Sequence, residues 1–279
     1  MRPVRAFLAV LALLGAAGCA DDFLPPSYLN DLRVLSLVAD PLELAPGQSV
    51  TIRPTVYAPP GSALASRRWT FCPLTAGSVA AYACAVPECE VDLPFDAATG
   101  NVTANPTALI AACLPAAGGV PAQLPEVIQT LFRFRVASDQ GQERDAVLQI
   151  PQWTRGPPAS PNLPPVILGV EIGGVDAATG PIPPLVNGGV LPVRLLIDPA
   201  SVQTYVDAAG VSRQESMTGD FFATGGRFSA NLTSGLDTTV NLEGTDLVAG
   251  QLEIDVWVLA LDLRGGQQLV GPFRVPVQP

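Results

Sequence analysis

The 279-residue chain contains no histidine and no lysine; all 15 of its basic residues are arginine. These absences exclude more chemistry than any motif present supplies. Without an imidazole there is no Ser-His-Asp or Cys-His catalysis and no zinc centre with a histidine ligand. Without lysine there is no Walker A loop, no Schiff-base enzyme and no Ser-Lys nucleophile pair. Neither G-x-S-x-G nor G-x-G-x-x-G occurs. A pair of acids acting as in glycosidases is the one common catalytic arrangement left open, and nothing singles out a pair among the 25 Asp and Glu. The chain is read as a non-enzyme with no cofactor. Positive charge is scarce as well: the net charge is −10, which repels nucleic acid and anionic headgroups and rules out a nucleic-acid partner.

What is present begins with a leader. Met1 to Arg5 carries two arginines, Ala6 to Ala17 is apolar or small throughout, and Gly18-Cys19-Ala20-Asp21-Asp22 follows. The run is shorter than the roughly 20 apolar residues a membrane-spanning helix needs, and its layout is that of a secretory signal. The segment Leu14-Gly15-Ala16-Ala17-Gly18-Cys19 resembles the bacterial lipobox. That resemblance implies that Cys19 becomes the acylated first residue of the mature protein. The competing reading is an ordinary cleaved signal, with Cys19 left to pair with another thiol. Five cysteines favour lipid, because giving Cys19 to it leaves an even four. The modification supplies three chains at about 0.8 kcal/mol per buried methylene, a permanent hold on the membrane. Ala20, in place of the aspartate that retains such proteins at the inner membrane, makes the outer membrane the expected address, facing periplasm or surface.

Removal of residues 1–18 leaves 261 residues, enough for two domains, and 13 arginines against 25 acids. The 29 prolines and 26 glycines punctuate apolar runs of strand length, so the fold class expected is all-β, two β-sandwich domains. Residues 19–30 read as a lipidated tether, 31–150 as a first domain, 151–165 as a stiff proline-rich linker, and 166–279 as a second domain. In Val50 to Tyr57, Val50, Ile52 and Val56 share one face, and Pro54 predicts an edge or a bulge. In Ile128 to Val136, Phe132, Phe134 and Val136 point inward while Arg133 and Arg135 point out. Between Cys72 and this strand lies an insertion, about 73–125. Within it, Asn105 and Pro106 predict a capped helix reaching Cys113. In the second domain the clearest strand is Leu252 to Asp262, turning at Gly265-Gly266 into Gln268 to Val275.

The opening Leu32-Arg33-Val34-Leu35, with Asp40-Pro41-Leu42-Glu43-Leu44-Ala45-Pro46-Gly47-Gln48-Ser49-Val50-Thr51 and the Trp69/Cys72 pair, resembles bacterial immunoglobulin-like modules. In the second domain, Phe221-Phe222-Ala223-Thr224-Gly225-Gly226-Arg227-Phe228 and Ala260-Leu261-Asp262-Leu263-Arg264-Gly265-Gly266 resemble the same class. The layout is similar to envelope lipoproteins numerous in myxobacteria. These are fold motifs, and they imply no catalytic or ligand residues.

In an oxidising compartment Cys72, Cys84, Cys89 and Cys113 form two disulfides. Three pairings are possible; Cys84–Cys89 with Cys72–Cys113 is the one expected. A four-thiolate metal site is the rival reading, and no C-x-x-C supports it. Glu88, Glu90 and Asp92 alternate along one strand face and could hold a hard cation, but they read first as a solvated face, as do Glu253 and Asp255. Trp153 either stacks on a ligand or packs into the domain junction, and Trp69 and Trp257 read as core. The function expected is a non-catalytic, lipid-anchored envelope protein serving as a structural or protein-interaction module, its partner protein unnamed. The alternative is a calcium- or glycan-binding surface protein.

Overall fold

The computed structural model describes residues 25–113, 125–157, 160–206, 210–245, 247–248 and 250–278. The leader and Cys19 lie outside the described residues. Seven strands come first: β1 (Arg33–Asp40), β2 (Val50–Tyr57), β3 (Leu64–Cys72), β4 (Val91–Leu93), β5 (Val102–Ala104), β6 (Val127–Ser138) and β7 (Glu143–Trp153). One helix, α1 (Pro106–Cys113), lies between β5 and β6. They form two facing sheets, ordered β1-β2-β5 and β4-β3-β6-β7.

Alternation in β6 drives the packing. Phe132, Phe134 and Val136 are fully buried. Register sets Phe134 against Trp69 and Phe132 against Phe71, with ring centroids 4.7 and 5.2 Å apart. Burial of each ring contributes about 1.5–3 kcal/mol, and Leu44, Ile52 and Val102 close the core from the other sheet. Pro54 sits where β2 has β1 as its sheet partner, because β5 reaches only Val50 to Ile52. The β1 register skips between Val34 and Ser36 beside it, the irregularity a strand proline predicts. Asn105 caps α1, its side-chain oxygen accepting from the Ala108 N–H at 3.2 Å. Its amide nitrogen donates to Gly47 O at 2.9 Å and ties the helix to the β1–β2 turn.

Twelve strands follow: β8 (Ile167–Ile172), β9 (Val175–Asp176), β10 (Leu185–Val186), β11 (Val190–Ile197), β12 (Thr204–Val206), β13 (Ser212–Gln214), β14 (Thr218–Ala223), β15 (Arg227–Phe228), β16 (Leu232–Ser234), β17 (Asp237–Glu243), β18 (Glu253–Leu261) and β19 (Gln267–Gln278). Two five-stranded sheets, β15-β17-β11-β8-β9 and β10-β19-β18-β14-β16, enclose a second core that includes Phe221, Phe228 and Val256. β12 and β13 make a separate hairpin.

Both sandwiches follow one plan. An opening strand pairs antiparallel in the first sheet, and the chain then crosses to meet the last strand in parallel. Leu44 does so against Gln152, and β10 does so against β19. The remaining strands divide between the two sheets, with the last two strands of each half paired in the second sheet, so each half is an immunoglobulin-like sandwich.

The structure differs from the sequence reading in three places. The expected insertion shrinks to the cysteine loop between β3 and β4, because β4, β5 and α1 are parts of the sandwich. Residues 25–30 are not a free tether: Leu29 is buried, and its N–H donates to Ala223 O at 2.8 Å while the Ala223 N–H donates to Ser27 O at 2.9 Å. The chain thus touches the second sandwich before it builds the first. Nor does the proline-rich segment hold the sandwiches apart. β7 extends to Trp153, and Asn162 is buried in the contact between them.

Candidate functional site

The most developed polar network among the described residues lies where the two sandwiches meet. Ile254, Val256, Val258 and Ala260 of β18 face their own core, so Asp255, Trp257 and Leu259 face outward. Trp257 is 8% exposed and clusters with Leu29, Leu35 and Tyr57, flanked by Phe222 and Leu269. Its ring meets Tyr57 edge-on at 5.7 Å. The core role expected for Trp257 holds, and the core it joins is the apolar wedge of the junction. Trp153 does not pack into the domain junction. It pairs with Val127 on the β6–β7 ladder and lines a slot of about 150 Å³ beside α1.

The polar half of the junction is built on the β18–β19 turn. Asp262 Oδ1 accepts from the N–H of Arg264 at 2.7 Å and of Gly266 at 2.8 Å, folding the turn around one carboxylate. A Cβ on Gly266 would come within 2.0 Å of Asp262 Oδ2, so that position tolerates only glycine. Oδ2 accepts from Asn162 Nδ2 at 3.0 Å. The turn aims Arg264 at two acids: Glu215 at 2.6 Å from the second sandwich and Glu43 at 3.1 Å from the first. Side-chain exposure is 18% for Arg264, 11% for Glu43 and 0% for Glu215, so this is a buried triad. The guanidinium also lies 4.5 Å from the centre of the Tyr205 ring on β12. The Gln203 N–H donates to Glu215 Oε2 at 2.9 Å and the Asn162 N–H donates to Glu43 Oε2 at 3.3 Å. Each acid therefore has a second donor, the condition under which burying charge is tolerable. Burial pushes the Asp262 carboxyl above its ordinary range, opposed by the three donors that hold it.

At the opposite end of β18 from this network, a cleft of about 650 Å³ is lined by Tyr28, Tyr57 and Pro59 together with Thr224, Glu253 and Asp255. Asp255 is half-buried rather than part of a solvated face, and burial raises its carboxyl. Burial also raises the Tyr57 phenol, with nearby Asp255 adding to the effect.

The four cysteines form Cys72–Cys84 and Cys89–Cys113, not the pairing expected from the sequence. The reason is local. Thr75 and Cys84 form an antiparallel bridge, so the chain doubles back and delivers Cys84 beside the end of β3. Cys89 ends the 3-10 turn Pro87–Cys89 and is buried where the last residue of α1 arrives. Arg133 donates to Ala81 O and Tyr82 O at 3.3 and 2.9 Å and pins the loop over the outer face of β6. Glu88, Glu90 and Asp92 are exposed but do not share one strand face, since Glu88 lies in the 3-10 turn. Glu90 accepts from Thr70 and Asp92 pairs with Arg68. Among the described residues no group of three or more Asp, Glu or Cys is placed to hold a metal.

Elsewhere two acids on the sheets are matched by paired arginines. Arg135 binds Asp145 through two bonds of 2.7 and 2.9 Å, and Arg194 binds Asp237 through two of 2.7 Å. These bonds hold the Asp145 and Asp237 carboxyls below the usual range. Sequence reasoning caught the Asp262–Gly266 turn as a fold motif but missed Glu43, Asn162 and Glu215 as its partners. No spacing in the chain links residues so far apart.

No family model and no curated protein matches the chain. Among solved structures, the chain is 11% identical to the fibronectin(III)-like modules of Clostridium thermocellum CbhA, with a TM-score of 0.25 over 88% of this chain and 92% of that one. It is 11% identical to the D00-D0 domain of intimin, with a TM-score of 0.26 over 89% of this chain and 99% of that one. For the Yersinia pseudotuberculosis adhesin InvE the figures are 11%, 0.25, 88% and 58%. The strand order described above, not these superpositions, establishes the fold.

Proposed function

We propose that the chain is a non-catalytic structural or protein-interaction module of the cell envelope, anchored by lipid on Cys19 at the outer membrane. The observation that carries this reading is the junction. The protein's buried charges are spent on fixing one sandwich against the other, through Arg264 held between Glu43 and Glu215. Two sandwiches locked in one orientation present their loops and outer faces at a constant geometry, which a scaffold or docking module needs. Secretion and anchoring rest on the leader and on the parity of the cysteines. The two disulfides fit an oxidising compartment. Among the described residues no helix is long and apolar enough to cross a membrane.

Two experiments test the reading. Fractionation of cells expressing Cys19→Ser should move the protein from the membrane to the soluble envelope fraction; retention in the membrane would remove the anchor from the proposal. Crosslinking in living cells, followed by capture of the tagged protein, should return one dominant envelope partner. Recovery of cell-wall polysaccharide alone would favour glycan binding instead.

A further inference from the structure

The cleft at the apolar side of the junction holds a carboxylate without a partner among the described residues. The other strand-face carboxylates named above have partners: Asp92 meets Arg68, Asp145 meets Arg135 and Asp237 meets Arg194. Asp255 is half-buried, yet its carboxylate forms no hydrogen bond and no ion pair with any described residue. Arg274, opposite it in the β18–β19 register, lies close enough to act through its field but does not close an ion pair. A carboxylate partly withdrawn from water and left unmatched is destabilising unless something else supplies the positive charge. Glu253 lines the same cleft, and its lining includes no cation.

The aromatic wall points the same way. Tyr57 is 9% exposed and lines the cleft, and its hydroxyl, open to the cleft, bonds to no described residue and so is free to bond a ligand. Tyr28 stands on the same wall, held by the bond from the Leu29 N–H to Ala223 O. Pro59 and Pro60 extend the wall with rigid apolar surface. An unmatched acid, an idle phenol and ring faces in one cleft form a receptor for an organic cation, which gains from both the charge and the π-faces.

We propose that this cleft is a binding site for a basic side chain, the guanidinium of an arginine, presented by a protein partner, with Asp255 as its counter-ion and Tyr57 as a hydrogen-bond partner. Arginine suits the site better than lysine because its flat guanidinium stacks on rings while its N–H fork meets the carboxylate. The proposal rests on the interaction-module reading and names the chemistry of the partner's contact. It also explains why residues 25–30 are held against the second sandwich: they supply one wall of the site.

The test is calorimetric and NMR titration of the full-length mature protein with N-acetyl-arginine amide and with its neutral isostere, N-acetyl-citrulline amide. The arginine compound should bind saturably and shift resonances of residues 28, 57 and 255, with citrulline about tenfold weaker. Asp255→Asn should weaken arginine binding about tenfold as well. Tyr57→Phe should weaken it while leaving the fold intact, since the ring stays. Glu88→Gln removes the same unit of charge on the other sandwich and should change nothing. Equal binding of arginine and citrulline, or equal losses in Asp255→Asn and Glu88→Gln, would overturn the site and leave only general attraction to an acidic protein. An absence of saturable arginine binding would overturn it too, and would leave the interaction reading to stand or fall on capture in cells.

Discussion

Replacing Arg264 with methionine keeps most of the side chain's volume and removes its charge. Glu215 then loses a partner at 2.6 Å and Glu43 one at 3.1 Å. Neither acid can turn to solvent, since their side chains are 0% and 11% exposed. Breaking a buried pair from one side costs about 3–5 kcal/mol, most of it the penalty of an uncompensated buried charge. For a chain of this size each kcal/mol lowers the melting temperature by roughly 2–4 °C, so calorimetry should show a fall of about 6–20 °C. Because the lost interaction crosses the junction, the single transition expected of the native protein should broaden or split as the sandwiches uncouple. The double variant Arg264→Met/Glu215→Gln should regain part of the loss: of the two stranded charges it removes the fully buried one, yet keeps an oxygen for the Gln203 N–H. A fall of less than about 2 °C in the single variant would place the triad among ordinary surface pairs. That result would refute the claim that buried charge fixes the orientation of the sandwiches.

Three further outcomes are expected. Digestion of the unreduced protein with a glutamate-specific protease cuts after Glu88 and should leave Cys72 and Cys84 on one linked product and Cys89 joined to the Cys113 peptide; a Cys84–Cys89 crosslink found by mass spectrometry would contradict the loop geometry. Asp262 has a folded pKa raised by burial, so its contribution to stability is fully present below its unfolded pKa of about 3.9 and is lost as pH rises through the folded value. Asp262→Asn should therefore gain stability relative to the native protein as pH climbs from about 4 towards neutrality, and urea titrations showing a constant or falling difference would count against that assignment. Gly266→Ala drives a Cβ to within 2.0 Å of Asp262 Oδ2, and should destabilise the protein by about 1–3 kcal/mol, the usual cost of overpacking; an unchanged melting curve would mean the turn is far softer than its bonds suggest.

The legible parts of the fold were those where one physical signal sufficed. The alternation of Phe132, Phe134 and Val136 with Arg133 and Arg135 reports directly which side of β6 meets the core, and burial follows it. Pro54 announced the end of two-sided pairing in β2, and Asn105-Pro106 announced α1. β4 and β5 were invisible because three residues carry too little periodicity to rise above a loop, so their positions were absorbed into an insertion. Trp257 was legible as a core residue, but which core it joins was not. It sits in the run Ile254 to Ala260, where residues on both faces of β18 are buried. Such a run reads as core from sequence, although one face is covered by the first sandwich rather than by the strand's own partner sheet. The disulfide pairing failed because loop length was the available guide, whereas the bridge of Thr75 to Cys84 decides which thiols meet. The junction acids were beyond reach altogether: Glu43 and Arg264 pair across 221 positions of sequence.

The two sandwiches share one strand plan, yet each uses the outer face of its second sheet differently. In the second sandwich the outward Trp257 and Leu259 of β18 are covered by β1 and residues 25–30. In the first, the equivalent strand is β6, and its outward Leu131 is 1% exposed because the cysteine loop lies across it. The disulfide-linked loop therefore covers Leu131 on an otherwise charged outer face, whereas the first sandwich covers an apolar one on the second. Closing loops of 12 and 24 residues constrains the unfolded chain by about 3 kcal/mol each in the loop-entropy model. That is ample to hold a cover with few apolar contacts of its own. The outer faces of the other two sheets stay open, and to them the cleft at Asp255 adds fixed walls and a carboxylate without a partner among the described residues.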